Sequence, residues 1–61
     1  MTFTTKDKLA AVEREIAQRE RVYPRLIARG QISQKFADLQ IALMKAIAAD
    51  YRAQAEAERL I

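Results

Sequence analysis

Cysteine, histidine and tryptophan are absent from this 61-residue chain, and proline and glycine each occur once. Without cysteine the chain cannot form a disulfide, and without cysteine or histidine it lacks the usual ligands of a structural zinc ion. The Ser-His and Cys-His pairs of nucleophilic catalysis are excluded too, and no phosphate-binding or dinucleotide-binding motif is present. The sequence therefore predicts a protein that is not an enzyme and has no cofactor, metal or small-molecule substrate.

Long hydrophobic runs are also missing. Apolar runs extend over only a few residues, whereas a membrane-spanning helix needs about 20. Lys6, Asp7 and Lys8 interrupt the stretch that a signal peptide would keep apolar. Because the absence of cysteine fits a reducing compartment, we expect a cytoplasmic protein without a membrane partner.

The single proline and the single glycine lie close together, between two segments of helical periodicity. Pro24 interrupts the first periodic pattern and is expected to kink the first helix. Gly30 followed by Ser33 is typical of a helix stop and a helix start. The predicted elements of this one domain are a helix at about 5–29, a turn at 30–33 and a helix at about 34–58.

Two helices of similar length with a short connection favour an all-α, antiparallel two-helix hairpin. Thr4 and Asp7 have the spacing of a capping box at the start of the first helix. A hairpin of this size buries little apolar surface, and disulfides and metals are excluded as further support. Oligomerisation is the remaining way to bury more surface, and we expect a homodimer.

The second helix has two apolar stripes, which is more than hairpin packing requires. We assign the first stripe to the hairpin core; it comprises Phe36, Leu39, Leu43, Ala46, Ile47 and Tyr51. The second stripe is rich in alanine, which is also explained by helix propensity alone, but its larger members would form an exposed apolar patch. We therefore predict a dimer face and a dimeric four-helix bundle. The predicted dimer face comprises Ile41, Met44, Ala48 and Ala55.

Positive charge is concentrated at the predicted turn. Residues 19–35 contain five basic residues and one acidic residue, a sum of +4, although the whole chain has a net charge of only +3. We predict that this basic bend binds an acidic protein partner. The residues of the basic bend are Arg21, Arg25, Arg29 and Lys35. Two alternatives stay open: a solvated charged surface, and a small four-helix-bundle regulator that binds nucleic-acid phosphates.

Three carboxylates, Glu13, Glu20 and Asp50, fall on or beside the apolar stripes. Pairing across the turn would bring Glu13 close to Asp50, the arrangement of a carboxylate metal site or an acid/base pair. Helical di-metal sites add histidine to such carboxylates, and this chain has none. Arg14, Arg19 and Lys45 are near enough to neutralise these carboxylates, so ion pairs between helices or between subunits are the prediction.

Several segments between residues 8 and 52 resemble a group of short conserved hypothetical proteins encoded in bacterial genomes, often in prophage-like regions. The most specific elements are Val22-Tyr23-Pro24-Arg25-Leu26 and Ile47-Ala48-Ala49-Asp50-Tyr51-Arg52; Glu15-Ile16, Arg19, Arg21, Gly30, Ala37-Asp38, Ile41-Ala42, Met44 and Ala46 also match. The resemblance implies a phage-linked context in which small helical proteins commonly bind another protein. It implies no catalytic residues. The function expected from the sequence is a non-enzymatic protein-interaction module.

Overall fold

The computed structural model describes residues 2–60, and these residues form two helices and no strand. Helix α1 spans Thr5–Ala28 and helix α2 spans Gln34–Arg59. They run antiparallel as a helical hairpin with dimensions of 48 × 22 × 16 Å. Helix α1 ends one residue before the predicted bound and α2 one residue after it. The all-α hairpin predicted from the sequence is confirmed.

Both helices begin at side-chain caps. The Asp7 amide donates to Thr4 Oγ1 at 3.0 Å, and the Thr4 amide donates to Asp7 Oδ2 at 3.1 Å. This reciprocal pair is the predicted capping box, which satisfies two backbone donors that the first turn leaves free. Ser33 Oγ accepts from the Phe36 amide at 3.0 Å at the start of α2. The side chains at the two starts therefore determine where each helix begins.

The chain leaves α1 through a Schellman turn at Gly30. The Gly30 amide donates to the Ile27 carbonyl and the Gln31 amide to the Leu26 carbonyl, both at 2.9 Å. Gly30 has φ = +72°, a conformation that costs a residue with a Cβ atom. Pro24 lies inside α1, which continues for one more turn to Ala28. The predicted helix through Pro24 is present, so the proline does not end α1.

Three side-chain contacts report the register of the hairpin from its open end towards the turn. Thr5 Oγ1 donates to Glu58 Oε1 at 2.8 Å, Arg52 Nη2 lies 3.2 Å from Glu13 Oε2, and Lys45 Nζ lies 3.5 Å from Glu20 Oε2. The two residue numbers in each contact add up to nearly the same value, as expected when two antiparallel helices are joined by one short turn. The predicted ion pairs between helices are confirmed for Glu13 and Glu20.

The seam between the helices is narrow, and the two most buried side chains among the described residues are alanines. Ala37 and Ala48 on α2 are each 3% exposed, and they face α1, where Ile16 is 9% exposed. Small side chains let two helix backbones approach closely, so alanine lies at the line of contact. Thr5, which bonds to Glu58, is the one buried polar residue among those described.

This seam reverses the assignment of the two α2 stripes. The predicted dimer face is wrong for Ala48, which is buried against α1 within one chain. The other predicted members, Ile41, Met44 and Ala55, are partly buried on the same side of α2. Large side chains would hold the helices apart, so the stripe that contains alanine packs inside the hairpin and the bulkier stripe is left outside.

Candidate protein-interaction surfaces

Four large apolar side chains of α2 are exposed on one face of the hairpin. Phe36, Leu39, Leu43 and Ile47 are 47%, 54%, 50% and 42% exposed, respectively. We call this set the outer stripe. The spacing of three and four residues places the four side chains on one side of α2 over about 17 Å. Single exposed apolar residues are ordinary on protein surfaces, whereas a contiguous row of this kind is a candidate interaction surface.

The opposite flank of the hairpin is polar. The Glu13–Arg52 and Glu20–Lys45 ion pairs both bridge the two helices on this side, and all four side chains are at least half exposed. Helical periodicity places Val22 and Leu26, both partly buried, on the flank of α1 next to the outer stripe. The two ion pairs that bridge the helices therefore lie on one flank of the hairpin and the outer stripe lies on the other, where α1 also has the Glu15–Arg19 ion pair.

The basic bend extends from the last two turns of α1, through its C-cap residue, to the first turn of α2. Arg21, Arg25, Arg29 and Lys35 are all exposed. Arg21 Nη2 donates to Gln18 Oε1 at 2.7 Å, and within residues 2–60 none of the four forms an ion pair. Arginine near a helix C-terminus is favourable through the helix dipole alone. Its charge remains available to an external anion.

Arg14, Arg21 and Arg25 extend this positive charge along α1. Their spacing of seven and four residues places them on the side of α1 that faces away from α2, and all three are exposed. By contrast, Arg19 lies nearer the seam and is engaged within the chain. Its pKa is raised, chiefly because its Nε donates to Glu15 Oε1 at 2.8 Å, with Tyr23 adding a smaller contribution. Arg19 is therefore a structural cation beside the seam.

The polar residues do not gather into a catalytic or metal site in the part of the chain that the structure describes. No group of three or more acidic side chains there could hold a metal ion. Glu13, considered above with Asp50 as a carboxylate pair, instead bonds to Arg52. A shallow groove beside the turn is lined by Tyr23, Pro24 and Ile41 together with the Glu20–Lys45 pair. No helix within residues 2–60 has the length and apolar character needed to cross a bilayer.

Comparison with family models, with curated proteins and with solved structures finds no match for this chain. The surface features that bear on its function are the outer stripe, the ion pairs between the helices and the basic bend.

The outer stripe is the surface that the sequence assignment placed in the wrong position. Periodicity identifies both apolar stripes of α2 equally well, because each follows the same spacing of three and four residues. The useful signal is side-chain size: Ala37 and Ala48, three turns apart, allow the closest approach of the two helices. Phe36 and Leu43 are too large for this close approach, so they lie outside the hairpin and suit an interface between helices that are further apart.

Proposed function

We propose that this protein is a non-enzymatic protein-interaction module that pairs through the outer stripe into a dimeric four-helix bundle. The observation that supports the proposal is the row of four large apolar side chains, each two-fifths to one-half exposed, on one face of α2. Helix association that covers such a face removes apolar surface from water. A second hairpin laid on the stripe gives the four-helix arrangement common to small bundles.

The total surface area of the chain supports the same proposal. The accessible surface is 4909 Å², whereas a compact monomer of 7.0 kDa would expose about 4,000 Å². The excess is close to the roughly 800 Å² that each partner buries in a standard stable interface. The accessible surface of one hairpin therefore exceeds that of a compact monomer by about the area that one partner buries in a standard interface.

The exposed basic bend supports a second contact in the same module. We propose that Arg21, Arg25, Arg29 and Lys35 bind an acidic protein surface, because the four side chains are exposed and form no ion pair within the described residues. The resemblance to short bacterial proteins of prophage-like regions leads us to propose a phage-linked, cytoplasmic setting for this binding. Nucleic acid is the alternative anion, and comparing the binding of an acidic polypeptide with that of RNA and DNA distinguishes the two.

Self-association is tested by sedimentation equilibrium at tens of micromolar protein. We expect the mass of two chains for the unmodified protein. Replacing Leu39 and Leu43 together by glutamine keeps helix propensity but removes apolar area from the outer stripe. This double variant should sediment as a single chain and lose helical signal, since the hairpin has so small a core of its own.

The matched control is Ala17→Gln on the exposed outer side of α1. It introduces the same side chain away from the outer stripe and should keep the mass of two chains. A well-folded monomer of the unmodified protein at tens of micromolar would contradict the dimeric bundle. Loss of the dimer in the Ala17→Gln control would contradict the assignment of the interface to α2.

A further inference from the structure

The outer stripe is not centred on α2. Its four side chains lie between Phe36 and Ile47, in the half of the helix next to the turn. The same helical face continues through Ala46, Asp50 and Gln54, which are small or polar. A second copy can cover the apolar part only if the two α2 helices overlap over this first half.

We propose that the partner copy lies antiparallel, with the two α2 helices crossing near residue 41. This proposal rests on the proposed function, because it gives the orientation of the dimer that forms through the outer stripe. In this alignment Phe36 lies opposite Ala46 of the partner subunit, and Leu39 lies opposite Leu43 of the partner subunit. The two-fold axis repeats both contacts on the other side of the crossing.

Side-chain size favours this alignment over a parallel one. Antiparallel pairing places the largest side chain of the stripe, Phe36, against the small Ala46 of the partner subunit. Parallel pairing would place two phenylalanines in one layer. That layer would be overfilled, which lowers stability. Residues 39 and 43 are both leucine, so the layers that they form suit either orientation.

Charge favours the same alignment. Residues 19–35 of each chain sum to +4 and residues 36–61 sum to −1. Parallel pairing would bring the two ends that contain the basic bends to the same end of the dimer, with Lys35 of the two copies on adjacent helices. Antiparallel pairing moves the two turns apart and places Lys35 about one helical turn from Asp50 of the partner subunit. Both residues are exposed and without an ion pair within the described part of the chain.

The orientation is measurable by pulsed electron paramagnetic resonance on singly spin-labelled protein. The chain has no cysteine, so each introduced cysteine gives one label per subunit. Suitable sites are Gln34→Cys at the start of α2 and Ala57→Cys near its end, both exposed. With the crossing near residue 41 and a rise of 1.5 Å per residue, the labels are separated along the helix axis by about 21 Å at residue 34 and about 48 Å at residue 57.

A longer distance at Ala57→Cys than at Gln34→Cys is the expected result, with sedimentation confirming that each labelled variant remains a dimer. A parallel dimer would remove the axial separation at both sites and leave no increase from residue 34 to residue 57, which overturns the orientation and leaves the proposed function intact. A single-chain mass for the unmodified protein, with no label–label coupling at either site, would overturn the dimer and this proposal together. A long distance at residue 34 and a short one at residue 57 would place the interface elsewhere and overturn the crossing near residue 41.

Discussion

Gly30 is the residue at which the direction of the chain is reversed, and its role is conformational. A Cβ atom added at this position would meet no other atom within 4 Å, so space is not the constraint. The constraint is the φ of +72°, which closes the turn through the Ile27 and Leu26 carbonyls. Alanine at residue 30 would fit the space and strain the backbone.

We therefore expect Gly30→Ala to lower the free energy of unfolding by about 1 kcal/mol, the cost of a left-handed conformation for a residue with a Cβ atom. Gly30→Asn is the matched variant, because asparagine tolerates this conformation better, and it should cost less than alanine. Urea unfolding followed by circular dichroism, at one fixed protein concentration, measures both. Equal losses in the two variants would contradict a conformational cause.

At the scale of the element, α1 and α2 differ in how far local sequence determines them. The starts at Thr4 and Ser33 and the turn at Gly30 were predictable, because each depends on hydrogen bonds within a few residues. The face of α2 that packs against α1 could not be predicted in this way. Both stripes of α2 are apolar and periodic, and the choice between them depends on how closely two backbones can approach, which is a property of the packed pair.

The alanine seam gives a prediction for α2. Ala48→Leu should destabilise the hairpin by about 1–3 kcal/mol, because extra methylene groups at a site that is 3% exposed force the helices apart. Ala49→Leu makes the same chemical change one residue later at an exposed position and should leave stability nearly unchanged. Thermal unfolding of both variants compares the two sites. Little change at residue 48 and a large loss at residue 49 would contradict the seam described above.

The basic bend could be predicted from the sequence, whereas the apolar interface could not, because only the interface depends on how the two helices pack. The basic bend follows from composition, because charged residues near a turn remain on the surface in almost any packing, and the exposure of Arg25 and Arg29 agrees. The interface assigned to Ile41 and Met44 required knowledge of which stripe the hairpin uses. Burial of Ala48 decides that question and moves the candidate interface to Phe36 and Leu43.

The whole molecule separates its surfaces by chemistry. The exposed apolar side chains of α2 lie on one flank, the ion pairs that bridge the two helices lie on the other, and the net positive charge lies at the end that contains the turn. In the proposed antiparallel dimer, the two turns lie about 33 Å apart along the helix axis, because each is 11 residues from the crossing. Such a dimer could bind two acidic partners, or two sites on one elongated partner, without competition between the bends.

The basic bend gives a prediction for the whole molecule. Poly-glutamate, used as a simple acidic polypeptide, should bind at low salt, and its affinity should fall steeply as salt is added. Replacing Arg21, Arg25 and Arg29 together by alanine should abolish this binding while the sedimenting mass stays that of two chains. Isothermal titration calorimetry measures the first effect and sedimentation equilibrium the second.

Two further titrations distinguish an acidic protein partner from nucleic acid. Single-stranded RNA and duplex DNA of matched charge should bind more weakly than the acidic polypeptide if the bend recognises protein. Tighter binding of either polymer, lost in the triple variant, would favour the nucleic-acid alternative. Unchanged poly-glutamate binding in the triple variant would contradict a role for the bend.

The hydrogen bond from Thr5 to Glu58 has a topological consequence. It holds the first turn of α1 against the last turns of α2, so the two helices are adjacent at both of their ends, although the chain joins them at only one. The order of the helices along the chain is therefore incidental to the seam. A circular permutant that starts at α2, crosses a short glycine linker and continues into α1 would preserve every contact between the two helices. It would also release the basic bend from the constraint of a covalent turn.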